Sequence, residues 1–102
     1  MISVQVTYRI KPDFVEKNKK NIHNFLVDFK SMLTTKFLYN VYVKEDGLTF
    51  VHHSMYADEA MQQEVLNTPS FLAFQRERDE HGLIEAPSIE ILTHIGSSMR
   101  TI

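Results

Sequence analysis

The side chains best suited to chemistry in this chain cluster in one stretch, where His52 and His53 adjoin and Ser54 and Tyr56 follow, with Tyr39 a little earlier. An imidazole can take up and return protons near neutral pH, while alcohols and phenols orient a ligand by hydrogen bonding. Whether these groups meet depends on the elements that carry them. Phe37 to Val43 alternates with a period of two, Asp46-Gly47 supplies a hairpin turn, and Leu48 to Tyr56 runs back. If Asp46 and Gly47 are the central residues of a primed turn, Val43 faces Phe50, Val41 faces His52, Tyr39 faces Ser54 and Phe37 faces Tyr56. Tyr39, His52, Ser54 and Tyr56 then share a mostly apolar face, and Tyr8 joins them from the first strand. A three-residue turn would shift the register and put His53 in place of His52. Each buried polar group costs roughly 1–3 kcal/mol if unpaired, so these residues either bond one another or line a cavity that takes a ligand.

The remaining histidines read differently. His52 and His53 point to opposite faces of one strand and cannot readily chelate one metal, and no HExxH spacing occurs, so no metal is expected. His23 and His81 fall on solvent-facing positions. His94 shares the phase of Leu92 near the end of the last strand.

The elements around the hairpin follow from periodicity. Ile2, Val4, Val6, Tyr8 and Ile10 alternate with polar residues as a first strand. Asp13, followed by Glu16, resembles a helix cap. Ile22, Phe25, Leu26, Phe29, Met32 and Leu33 then recur at helical spacing as one buried stripe. Asp58-Glu59-Ala60 opens a second helix that runs to about Leu66. Thr68 and Pro69 suit the cap and first turn of another, with Phe71, Phe74 and Arg78 on one side and Gly82 as its stop. Ile89, Ile91 and Ile95 form the last strand, and Gly96 to Ile102 reads as a polar tail.

The order β-α-β-β-α-β folds by right-handed crossovers into an α+β, ferredoxin-like domain over residues 1–102, with a four-stranded antiparallel sheet and helices on one face. The other face would carry Leu38, Tyr42, Val51, Met55 and Leu92, more apolar surface than a lone domain usually exposes. A homodimer with two sheets packed face to face is the expected remedy.

Composition narrows the function classes. The chain has 102 residues, 43% hydrophobic and 24% charged, the profile of one globular domain. Eleven Lys+Arg against thirteen Asp+Glu give a net charge of -2, which argues against nucleic acid or anionic membrane as partner. The run Arg76-Glu77-Arg78-Asp79-Glu80 alternates in sign and reads as a solvated helix face. Phe14, Phe25, Phe29, Phe71 and Phe74 read as core. With no Cys there is no disulfide framework or thiolate nucleophile. With neither a basic leader nor a bilayer-length apolar run, the expected location is the cytoplasm.

The stretch from Thr49 through Asp58-Glu59-Ala60 to Leu66-Asn67-Thr68-Pro69-Ser70-Phe71 resembles the antibiotic biosynthesis monooxygenase family. In that family a strand ending in an aromatic residue leads into an Asp-Glu-Ala helix start, then a Thr/Ser-Pro break and a Phe. The pattern extends over most of the chain. The resemblance implies a dimeric α/β barrel built from ferredoxin-like chains, and an activity such as quinone-forming oxygenation without metal or flavin. Tyr56 keeps the family's aromatic position, while Val65 and Ser70 stand where many relatives carry histidines. Haem-degrading relatives use an Asn, Trp and His arrangement, and this chain has no Trp.

The expected function is therefore a homodimeric, cofactor-independent monooxygenase-like enzyme for a small aromatic or quinol-like molecule. His52 would be the general base, Tyr8, Tyr39 and Tyr56 would contact substrate, and Ser54 would supply a hydrogen bond. The alternative is a non-catalytic ligand-binding or stress-related dimer on the same fold.

Overall fold

The computed structural model describes residues 1–99. Strand β1 (Ile2–Arg9) leads through a short 3-10 turn (Pro12–Phe14) into helix α1 (Val15–Ser31), followed by β2 (Phe37–Val43) and β3 (Thr49–Tyr56). Helices α2 (Glu59–Leu66) and α3 (Pro69–Glu77) come next, then a π-helical turn (Arg78–Gly82) and β4 (Ser88–Leu92). The strands form one antiparallel sheet in the order β2-β3-β1-β4, which is the ferredoxin-like arrangement.

The hairpin register is the one expected. Val43 pairs with Phe50, Val41 with His52, Tyr39 with Ser54 and Phe37 with Tyr56. The turn itself differs. Asp46 is not in a positive-φ conformation, so the turn is not primed; only Gly47, at φ 72, takes the left-handed region. The Asp46 carboxylate accepts from the backbone N–H of Leu48 and Thr49 and from the Thr49 hydroxyl, while Lys44 N–H bonds Thr49 O. Those bonds close a wider loop, with Glu45 to Leu48 between the paired ends. An even-numbered loop preserves the phase of both strands, which is why the facing pairs survive.

Other expectations need correction. Asp13 does not cap α1: Phe14 holds that position and no side chain bonds there, since the chain enters through the 3-10 turn. Thr68 occupies the cap position of α3 without a side-chain bond, and Pro69 takes the first turn. At α2, by contrast, the Asp58 carboxylate accepts from Met61 N–H as a proper cap. Leu33 leaves the buried stripe altogether. It terminates α1 in a left-handed conformation (φ 51) with its side chain exposed. Ile10 forms only an isolated bridge with Leu83, and Ile95 lies beyond β4, exposed. Of the tail read over Gly96 to Ile102, residues 100–102 lie outside the described residues.

The core is the layer between the sheet and the helices. Tyr8, Phe50 and Tyr56 of the sheet pack with Phe25 and Phe29 of α1, Met61 and Val65 of α2, and Phe71 and Phe74 of α3. Each aromatic side chain buried this way removes a large apolar area from water, worth about 1.5–3 kcal/mol for a Phe. At Gly82 the backbone comes so close to Phe14 that a Cβ would lie 2.5 Å from the Phe14 Cδ2. The opposite sheet face carries a cross-strand row of Leu38, Met55, Ser3 and Leu92, of which Leu38 is half exposed, as is Tyr42 four residues along β2, whereas Met55 and Ser3 are buried within the chain. No helix of the described residues is long and apolar enough to cross a membrane.

Candidate active site

Strand alternation delivers His52 to the helix side of β3, where it is 2% exposed. The neighbouring strands each supply one phenol to it. The Tyr8 hydroxyl from β1 lies 2.8 Å from His52 Nε2, and the Tyr39 hydroxyl from β2 lies 2.8 Å from Nδ1. Helix α1 closes the chain of bonds, because Asn18 donates from Nδ2 to the Tyr8 oxygen at 3.0 Å. Above this relay, Phe74 stacks on the imidazole with ring centroids 5.4 Å apart, and Phe25 packs at 6.2 Å.

Protons can be placed by counting donors. Tyr8 accepts from Asn18, so its own hydrogen goes to His52 Nε2. That leaves Nδ1–H to donate to the Tyr39 oxygen, and the hydrogen of Tyr39 becomes the one uncommitted donor of the relay. Asn18 Oδ1 is buried without a hydrogen-bond partner among the described residues. Turning that amide over would let Oδ1 accept from Tyr8 and reverse the direction of every bond in the series. The relay therefore has two consistent polarities.

Burial decides the charge states. It pulls the His52 pKa down to about 3, with the Arg78 charge adding to the effect, so the ring is neutral at neutral pH. Burial likewise raises Tyr8, Tyr39 and Tyr56 above the ordinary phenol value. Arg78 acts against that rise at Tyr8 and Tyr39, since a cation favours phenolate. The solvated-face reading of the 76–80 run fails at this residue. Arg78 is buried, its guanidinium carbon sits 4.9 Å from the Tyr8 ring centroid and 5.2 Å from that of Phe74, and its Nε donates to Asp79.

Of the residues expected in the site, Tyr8, Tyr39 and His52 are brought into direct contact. Ser54 and Tyr56 lie on the same face further along β3, both buried, with the Ser54 hydroxyl bearing on the Tyr56 phenol. Neither bonds His52. Asn18 and Arg78 complete the cluster without having been singled out for it. Two cavities open beside α1, only one of them with a relay residue in its wall. One of about 250 Å³ includes Tyr39 in its wall, between the C-terminal half of α1 and β2. The other, about 370 Å³, lies between the end of α1 and the start of α2, lined by Met32, Lys36, Asp58 and Glu64 among others. Among the described residues no group of His, Asp and Glu is placed to hold a metal ion. His53 lies on the outer sheet face, and His94 bonds Ser97 instead of joining it.

No family model and no curated protein matches the chain. Solved structures do. A protein described as an antibiotic biosynthesis monooxygenase superposes with a TM-score of 0.79 at 15% identity, over 94% of this chain and 100% of that one. Rv0793 from Mycobacterium tuberculosis gives 0.79 at 15% identity, over 96% and 98%. A point variant of SnoaB, a cofactor-independent oxygenase from Streptomyces nogalater, gives 0.71 at 10% identity, over 97% of each chain. The ferredoxin-like fold of the single chain, as the resemblance in sequence implied it, is thus the fold this chain has.

Proposed function

We propose that this chain is an enzyme of the antibiotic biosynthesis monooxygenase type, oxidising a small phenolic or quinol-like molecule with dioxygen and without a metal or flavin. The observation that carries this reading is the imidazole of His52 held between the phenols of Tyr8 and Tyr39 beneath the helices. The shared fold with a cofactor-independent oxygenase supports it.

The base polarity of the relay is the one that matters. With Tyr39 donating to Nδ1, the substrate hydroxyl gives its proton to the Tyr39 oxygen as Tyr39 passes its own to His52. This leaves a substrate anion beside an imidazolium. Burial opposes that charge on the ring, but the anion formed alongside offsets the cost, as an opposite charge within a few ångströms does. The anion is electron-rich enough to reduce dioxygen. A carbon–oxygen bond forms at a ring carbon that bears a hydrogen, and the resulting peroxide takes the proton back; that carbon then gives up its hydrogen as a proton while the O–O bond breaks, leaving a carbonyl on the product and releasing the hydroxide and proton as water. Tyr8 orients the imidazole, while Ser54 and Tyr56 shape the far end of the layer.

Two features support a face-to-face homodimer. Leu38 and Tyr42 project from the open sheet face, and Leu92 is exposed at the other end of the cross-strand row, although Met55 between them is already buried within the chain. A cytoplasmic location is the matching expectation for this composition.

Oxygen uptake with 1,4-dihydroxynaphthalene, corrected for its spontaneous oxidation, tests the activity. His52→Leu is expected to lower the enzymatic rate by about a hundredfold or more, and Tyr39→Phe, which keeps the packing, to lower it as well. Equal rates in all three proteins would overturn the base role. One observation favours the second reading, a ligand-binding dimer without catalysis: both ring nitrogens of His52 already have partners. Binding of the quinol with no uptake above background would select it.

A further inference from the structure

We infer that the ligand site opens at the edge between α1 and β2, and that it takes a small planar aromatic molecule carrying an anionic group. This rests on the reading of the relay as a ligand-facing device, and it specifies where that device meets the ligand.

The relay has two ends. Tyr8 is 2% exposed, and its hydroxyl is committed to Asn18 and His52. Tyr39 is less deeply buried and lines the cavity of about 250 Å³, whose wall also includes Leu26, Phe29, Phe37, Leu38 and Lys30. That volume lies just below the range of drug-sized ligand sites, roughly 300–1,000 Å³, and suits a molecule of one or two rings. The aromatic walls are steep: Phe29 meets Phe37 at 89° and Tyr39 at 61°, so a flat ligand finds both ring faces and ring edges.

Charge selects further. Lys30 is the one charged side chain among the described residues of this wall. It lies in the last turn of α1. An aromatic acid entering here would place its carboxylate against the Lys30 ammonium and accept the uncommitted hydrogen of Tyr39. A phenolate formed during oxidation would be held by the same two groups. Tyr39 then couples occupancy of the cavity to the state of His52, because it lines the one and bonds the other.

The test is a pair of probes of one shape, 2-naphthoate and 2-naphthamide, titrated against the protein labelled at leucine methyls and histidine rings. Naphthoate is expected to move the Leu26 and Leu38 methyls and the His52 ring, with a Kd about two- to fivefold lower than that of naphthamide. In Lys30→Gln, whose exposed site leaves the fold intact, the two Kd values should become equal. Overturning results are naphthoate shifting the Leu66 and Leu83 methyls with Leu26 and Leu38 unmoved, equal Kd values in the unmodified protein, or no binding of either probe. The first would leave the oxygenase reading standing with its ligand deeper in the layer. Loss of oxygen uptake chemistry would be seen separately, in the quinol assay.

Discussion

The guanidinium of Arg78 lies 4.9 Å from the centroid of the Tyr8 ring, and the hydroxyl of that same ring is bonded to His52 Nε2. A cation therefore sits one ring away from an imidazole it discourages from protonating. Arg78→Met should raise the His52 pKa, which stays below its ordinary value because burial is the larger cause. The same change removes a buried cation–π contact, so it should also destabilise the fold by about 1–2 kcal/mol. Ring NMR titration and urea denaturation read the two effects independently.

The depressed pKa of His52 makes stability depend on acid. The folded chain holds this imidazole neutral down to about pH 3, whereas the unfolded chain protonates it near 6.5, so between those values the unfolded state binds more protons. Stability contributed by His52 is complete above pH 6.5 and is lost as the pH falls toward 3. Between pH 7 and pH 5 the loss should reach about 2 kcal/mol. Urea midpoints of the wild type and His52→Leu across that range check it: the wild type should show the slope, and the variant should lack this component.

Gly82 answers a packing need. Its α-carbon faces the Phe14 ring so closely that the Cβ of an alanine would fall 2.5 Å from Phe14 Cδ2. Gly82→Ala should cost about 1–3 kcal/mol through forced displacement of that ring. Phe14→Leu in the same background should recover part of the loss, measured as a shift in thermal midpoint.

Leu38 and Tyr42, half exposed on the open face of the sheet, would carry the contact in the proposed homodimer. The double change Leu38→Lys and Tyr42→Lys should leave far-ultraviolet circular dichroism unaltered and reduce the mass in light scattering from that of a dimer to that of one chain. Unmodified protein running as one chain at micromolar concentration would contradict the dimer.

The sequence made the sheet, its order and the hairpin register readable, because period-two alternation and an Asp-Gly turn determine which residues face each other even when the loop is wider than expected. Less readable were the polar members of the buried cluster. Asn18 falls among Lys17, Lys19 and Lys20 and looks like one more solvated position, yet it keeps helical phase with Ile22, Phe25 and Phe29. Arg78 is masked in the same way by the charges around it, although it follows Phe71 and Phe74 on one side of the helix. Phase against the apolar stripe was the available signal for both. Leu33 was the reverse case: an apolar residue in phase, expelled because the helix ends there in a left-handed turn.

Whether a ligand reaches the relay is read most directly at the His52 ring itself. With histidine side chains labelled with nitrogen-15, 1,4-dihydroxynaphthalene is added without oxygen while the ring signals are recorded. The His52 signals should shift with saturation as the quinol engages Tyr39, while those of the exposed His23 and His81 stay in place. His52 signals that remain unmoved while the quinol is demonstrably bound would contradict that engagement, and would leave the relay a structural feature of the core.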